Sequence, residues 1–237
     1  MAAVREFVTI IAMALVLSFI VKTWFVQAFY IPSGSMEDTL VQGDRVVVSK
    51  LTPGPVDLKR GDVIVFEDPG DWLPVSQPVD RGPVGTAVHD ALVFVGLLPT
   101  DSQDHLIKRV IGLPGDHVVC CTDEHRLTVN GTPITETYVK AGDEASSRAF
   151  DIVVPEGRLW VMGDHRSDSE DSRYHDPEGD GQGGSVPIDR VTGRAVALVW
   201  PFDRLGLLGV PDSVFATVPA PSPAPAAGSA DTSASGS

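Results

Sequence analysis

Two serines separated by a glycine stand in IPSGSM at residues 31–36, directly after an apolar run. Small polar residues beside an apolar segment make a turn, and a tight turn at Gly34 exposes the Ser35 hydroxyl. A serine hydroxyl is a weak nucleophile unless an adjacent base takes its proton. The sequence offers two kinds of base. His165, in MGDHRSD, would give a Ser-His-Asp arrangement. Lys108, in HLIKRVIG, would give a Ser-Lys pair. On a strand, Leu106, Lys108 and Val110 share one face. A lysine between two apolar neighbours loses solvation, which lowers its pKa and suits it to accept a proton near neutral pH. The plain alternative is an edge-strand lysine whose stem lies on apolar neighbours while its head reaches water. No G-x-S-x-G elbow surrounds Ser35, so residue types alone leave both bases open.

Such side chains must be held by rigid elements, and the sequence predicts mainly strands. Valine- and isoleucine-rich runs occur at 45–51, 62–67, 105–112, 117–121, 126–131, 159–164 and 193–202, with glycine-aspartate turns between several of them. Their spacing and the scarcity of helical patterns predict packed antiparallel sheets, with HVVCC and RLTVNG as a hairpin pair. Residues 68–104 form a Pro/Gly-rich insert in which TAVHDALVFVGLLP reads as either a short helix or an apolar surface patch. The Gly/Asp-rich stretch YHDPEGDGQGGS at 174–185 lacks EF-hand spacing and reads as a solvated loop. Cys120 and Cys121 are adjacent and no further cysteine is present. Neighbouring cysteines bridge only with strain, so two buried thiols in a strand are expected.

The chain ends differ sharply. Residues 7–21, FVTIIAMALVLSFIV, are apolar except for Thr9 and Ser18, and continued through Phe25 the run is long enough to cross a bilayer if Lys22 snorkels to the headgroups. Trp24, Phe25, Phe29 and Tyr30 suit the interfacial belt. No small-x-small site directly follows the run, so an uncleaved anchor is expected over 7–25. The Pro/Ala/Ser-rich stretch 211–237 has no apolar periodicity and is expected to be disordered. A net charge of -14 excludes general nucleic-acid binding, which needs a basic surface.

Four sets of residues, in this order behind the anchor, resemble the bacterial type I signal peptidases, membrane-anchored serine proteases that remove signal peptides from exported proteins. IPSGSMEDTL at 31–40 is similar to the nucleophile block, and GDRVVVSK at 43–50 with RGDVIVF at 60–66 to the strand blocks. IKRVIGLPGD at 107–116 is similar to the general-base block and MGDHRSDSEDSR at 162–173 to the last block. The resemblance implies Ser35 as nucleophile and Lys108 as base, with Ser33 and the Ser35 backbone N–H in the oxyanion hole. It implies Ser169 as the hydroxyl that orients the lysine, Asp171 and Arg173 as a supporting pair, and Arg166 as a further structural member. Phe29, Ile31, Pro32, Met36, Leu40 and Ile107 resemble pocket walls that admit small residues and exclude large ones.

The implied fold is mainly β. A short cytoplasmic N-terminus (1–6) and the transmembrane helix precede two mainly antiparallel β-sheet regions. The catalytic region comprises 26–112 and 159–210, and a second region spans 113–158. No metal or organic cofactor is implied. The implied partners are exported preproteins and the lipid bilayer, with the catalytic part on the outer face of the plasma membrane. One departure stands out: His165, Ser167 and Asp168 surround Arg166 where asparagine and aspartate are usual. Two other classes compete. A self-cleaving repressor protease shares the Ser/Lys pair, but the anchor and the lack of a DNA-binding helix pair oppose it. A tethered, non-catalytic β-domain explains the anchor and the strands but not the Ser-Met, Lys-Arg and Asp-Ser-Arg blocks together.

Overall fold

A computed structural model describes residues 2–70, 72–73, 82–95, 104–210 and 212–221. Helix α1 (Ala2–Trp24) is followed by β1 (Val26–Tyr30), β2 (Arg45–Ser49) and β3 (Val63–Glu67). Helix α2 (Gly82–Val95) precedes β4 (His105–Gly112), β5 (His117–Cys120), β6 (Thr128–Val129), β7 (Thr132–Pro133) and β8 (Phe150–Val153). The chain continues through β9 (Arg158–Met162), β10 (Val186–Pro187), β11 (Val191–Trp200), β12 (Gly206–Leu207) and the short α3 (Asp212–Phe215).

Strands β1-β2-β11-β3-β4-β9-β10, with β12 beside β11, form one antiparallel sheet, and β7-β6-β5-β8 form a second. The fold is therefore mainly β, as the strand pattern predicts. Both faces of β3 and β4 are covered, which explains their nearly unbroken apolar runs. Val63, Val65 and Ile107 enter a core with Phe29, Ile31, Met36 and Leu40. Ile64, Phe66, Leu106 and Val110 enter another with Leu159 and Val161. A third core underlies the second sheet.

One turn recurs at three strand starts. Asp44, Asp62 and Asp116 are buried, each after a glycine at positive φ (+97° at Gly43, +81° at Gly115), which L side chains rarely adopt. Each carboxylate accepts the backbone N–H three residues upstream, at Val41 (2.9 Å), Lys59 (2.8 Å) and Leu113 (2.8 Å). Each also takes an arginine from a distant element, Arg204, Arg194 and Arg60 respectively. The Gly-Asp pairs thus fix where β2, β3 and β5 begin and tie them to the rest of the chain.

Several expectations change. Residues 26–30 form β1, paired to β2, and of the four aromatic residues suited to the interfacial belt Phe29 is buried while Trp24, Phe25 and Tyr30 stay exposed. Residues 82–95 resolve the helix-or-patch question as helix α2, with 96–99 outside the described residues. Cys120 and Cys121 are joined as a disulfide, with Cys120 buried and Cys121 exposed beyond the strand end, so two buried thiols in a strand is not the arrangement. The tail is ordered at its start: Val214 and Val218 fill the third core, and the Pro219 carbonyl accepts from Arg60 and Asn130. Residues 222–237 of the expected disordered tail lie outside the described residues.

Candidate active site

Ile31 leaves β1 with its backbone N–H on the Asp44 carbonyl and its own carbonyl on the Gly43 N–H (both 2.9 Å). The chain then turns, with Glu37 N–H on the Gly34 carbonyl (2.9 Å) and Leu40 N–H on the Met36 carbonyl (2.8 Å). Fully buried Met36 and Leu40 anchor this turn in the core. Ser35, directly before Met36, is left at the wall of a groove of about 670 Å³.

Strand β4 delivers Lys108 to the same point. Its Nζ donates to Ser35 Oγ across 2.6 Å, although 73 residues separate them in sequence. Lys108 is only 4% exposed and Ser35 8%. Burial pushes the lysine down from its ordinary value to about 8, and nearby Asp171 opposes that shift. Ser33 Oγ lies 3.5 Å from Ser35 Oγ on the groove side.

Behind the pair stand three arginine–carboxylate pairs. Arg173 grips Asp171 through Nε to Oδ1 and Nη2 to Oδ2, both 2.8 Å, with both side chains fully buried. Burial raises the Asp171 carboxyl, but the Arg173 guanidinium and the Gly163 N–H outweigh it and hold it below its ordinary value. Asp171 therefore stays an anion close to Lys108. Ser169 shares the groove wall with Lys108 and donates its hydroxyl to Asp171 Oδ2 (2.8 Å). Arg109, the residue after the lysine, forks onto Asp164 (Nε to Oδ1 2.8 Å, Nη2 to Oδ2 2.5 Å), and Thr39 of the turn that carries Ser35 donates to the same carboxylate at 2.6 Å. Arg166 donates to Glu136 (2.9 and 2.5 Å) and through Nε to the Gly163 carbonyl (2.9 Å). Bidentate, buried pairs of this kind fix orientation as well as charge.

Gly163 lies at the junction. A Cβ there would meet Ser169 Oγ at 2.2 Å and the Ser35 carbonyl at 2.4 Å, so only glycine lets these parts close on each other. The histidine alternative is not assembled. His165 Nδ1 faces the Gly34 carbonyl (3.2 Å) and Nε2 faces Lys140 Nζ (3.2 Å), behind the turn.

With this geometry in hand, comparison with known proteins is decisive. The model for signal peptidase, peptidase S26, matches residues 4–200. The chain belongs to that family. Among its signal peptidase relatives, a probable signal peptidase I of Mycobacterium leprae is 37% identical over 90% of this chain and 81% of its own length. The signal peptidase I of Mycobacterium tuberculosis H37Rv is also 37% identical, over 87% of this chain and 76% of its own. That of Leptolyngbya laminosa is 33% identical over 88% and 85%. Of solved structures, a signal peptidase I from Enterococcus faecalis V583 aligns with a TM-score of 0.37 at 24% identity, covering 59% of this chain and 97% of that one.

The six residues that resemble pocket walls divide between the groove and the core beneath it. Of the six residues, Pro32 and Ile107 line the groove. Phe29, Ile31, Met36 and Leu40 are buried in the core that supports them, because the turn folds back onto the sheet. The groove gains Trp72 and Leu73 from the insert, His105 and Leu106 from β4, and Tyr174. Trp72 is placed by Asp68, whose carboxylate accepts the N–H groups of Gly70, Trp72 and Leu73, and its ring stacks on His175 at 4.3 Å. Asp164, Glu136 and Lys140 went unread in sequence. Asp164 sits inside a quoted block and could have been paired with Arg109. Glu136 and Lys140 lie in a segment with no motif, and only the fold brings them here.

Proposed function

We propose that this protein is a membrane-anchored serine endopeptidase that removes N-terminal signal peptides from exported preproteins after small-x-small sites. The observation that carries this reading is the buried 2.6 Å contact between Lys108 Nζ and Ser35 Oγ, with the lysine at about 8. In its neutral form Lys108 takes the Ser35 proton, and Oγ attacks the scissile carbonyl. The oxyanion that develops is received by the Ser35 N–H and the Ser33 hydroxyl. The protonated lysine then gives its proton to the leaving amine and, neutral again, activates water to release the acyl-enzyme ester. Asp171, held by Arg173, and Ser169 keep the lysine's surroundings polar on one side. Leu106 and Val110 keep them apolar on the other.

Substrate enters as an extended strand in this reading. Strand β9 pairs with β4 only from Arg109 onward, so the His105–Lys108 stretch has β3 on one side and the groove on the other. That leaves a strand edge to which a peptide backbone adds, with alternate side chains entering pockets. Pro32 and Ile107, backed by immovable core, favour small side chains at the cut.

Membrane attachment rests on α1, whose Ala3–Val21 stretch is long and apolar enough to span a bilayer and has no part buried in the fold. Trp200, Phe202, Leu205 and Leu207 are exposed after β11, and the register sets Trp200 beside Arg45 and Tyr30. These side chains suit a bilayer surface, on the extracytoplasmic side of the plasma membrane, where exported preproteins emerge. Detergent-solubilised protein incubated with a preprotein tests the reading. Ser35→Ala and Lys108→Ala each abolish cleavage with folding intact, and retained turnover in either variant overturns the dyad.

A further inference from the structure

The charged side chains behind the nucleophile turn have no part in the chemistry above. Gly34's carbonyl accepts two hydrogen bonds there, from Glu37 N–H (2.9 Å) and from His165 Nδ1 (3.2 Å). A carbonyl only accepts, so Nδ1 carries the ring proton. On the other side of the ring, Lys140 Nζ stands 3.2 Å from Nε2. An ammonium only donates, so Nε2 is bare. The imidazole is thereby held in one orientation, Nδ1 donating and Nε2 accepting, by the partners on its two sides. Lys140 spends another proton on Glu37 Oε2 at 2.6 Å, and its backbone N–H is on the Asp164 carbonyl at 3.0 Å. The remaining charges facing the ring are Glu37 at 3.6 Å and Asp168 at 3.8 Å. Asp143 sits one residue away, on the backbone and hydroxyl of Ser167.

The consequence lies in one peptide unit. The Gly34 carbonyl and the Ser35 N–H belong to the same planar trans peptide, so they point in opposite directions. Holding the oxygen at the back aims the N–H at the front, toward the side of Ser35 where Ser33 stands. A second bond, from His165 N–H to the Ser35 carbonyl (3.2 Å), fixes the next peptide as well. We infer that Lys140 is a positioning residue: by fixing the His165 tautomer and holding Glu37, it aims the Ser35 N–H that receives the oxyanion. The inference rests on the proposed Ser35 chemistry. It also gives the second β-region, which supplies no reacting group, a direct hold on the site.

An N–H that is mis-aimed weakens the transition state and not substrate binding, so the effect falls on kcat. Full removal of an oxyanion donor costs about 10²–10³ in kcat, and loosening one costs less. Full-length protein in detergent, assayed for kcat and KM on a preprotein, gives for Lys140→Ala a kcat lowered roughly tenfold and a KM within about twofold. Lys140→Met, which keeps the aliphatic stem, loses as much, while Lys140→Arg recovers most of the rate. The Lys140→Ala/His165→Ala double variant is no slower than His165→Ala alone, because both act through one peptide. Circular dichroism checks that each variant is folded. The inference is overturned if Lys140→Ala and Lys140→Met keep kcat within about twofold of the parent, if the loss appears in KM, or if the two losses multiply. Ser35→Ala in the same assay separates the two levels. Residual cleavage there sinks the proposed function itself, whereas a dead Ser35→Ala with an unaffected Lys140→Ala sinks only the positioning role.

Discussion

Lys108 reaches the nucleophile turn from the large sheet and Lys140 reaches it from the second region, and their surroundings differ in almost every respect. Lys108 is buried between apolar strand neighbours, bonds to no carboxylate among the described residues, and is pushed down to about 8. Lys140 is part-exposed, bonded to Glu37, and held above its ordinary value by that bond. One lysine can lose its proton near neutral pH and the other cannot. Burial has a cost for the fold as well. The folded lysine titrates lower than the unfolded one, so it opposes folding below about pH 8, and that opposition is relieved as the pH climbs toward 10.5. The front of the turn gives up stability for a base, whereas the back uses an ordinary ion pair to hold shape.

Exchange of each lysine for arginine tests this contrast most severely. A guanidinium stays charged at any working pH, so Lys108→Arg leaves the front with a cation that cannot accept a proton. Cleavage should fall by at least about 10³-fold in a preprotein assay, while Lys140→Arg stays active. Comparable losses at both positions would erase the distinction. Next in size is Gly163→Ala, at the point where front and back touch. Its Cβ would overlap Ser169 Oγ and the Ser35 carbonyl, so these must separate. The expected result is a kcat drop of about 10²-fold with a stability loss of about 1–3 kcal/mol, read by single-turnover kinetics and thermal melts.

The pH profile gives a smaller but sharper reading. With Lys108 as the proposed base, kcat/KM should rise about tenfold per pH unit on the acid side and level off near pH 8. Lys140→Ala should lower the whole curve without moving the bend, since the largest influences on Lys108 are its burial and the charges of Asp171, Arg173, Asp164 and Asp168. A bend displaced by that variant would show that the back of the turn tunes the base rather than the backbone.

The same contrast explains what could be read in the chain. The pieces of the front were legible because each is local, although the choice of Lys108 over His165 came only with the resemblance. Ser33 and Ser35 share one turn, Lys108 interrupts an apolar strand, and the Ser169–Arg173 run carries its own ion pair. Strands β2, β3, β4 and β11 were legible from valine runs punctuated by Gly-Asp turns. The back was not, because Glu37, Glu136 and Lys140 look like any surface charges and acquire meaning only through pairing across more than one element. Phe29, Ile31, Met36 and Leu40 were ambiguous in another way. Apolar residues beside a nucleophile suit a pocket or a core equally, and only the fold of the turn decides. Phe29 was grouped with the interfacial aromatics Trp24, Phe25 and Tyr30 because composition does not show that it alone turns into the core.

The smallest effect concerns what supports the back from a distance. Val214 and Val218 enter the third core together with Ile111, Trp160, Met162 and Tyr138. Tyr138 lies under the Arg109 guanidinium at 4.0 Å and donates to Glu136, the partner of Arg166. The strap after α3 is therefore part of the packing that keeps the second region against the site. Trimming both valines to alanine leaves a cavity there and should cost roughly 2–4 kcal/mol, seen as a Tm drop of about 5–15 °C. If the front and back are independent as described, the pH bend of the folded enzyme stays where it is. Its kcat declines by a few-fold in the direction of Lys140→Ala. A variant that melts earlier yet keeps full kcat would show that the strap supports the second sheet alone and that the hold on Gly34 is local to Lys140, His165 and Glu37.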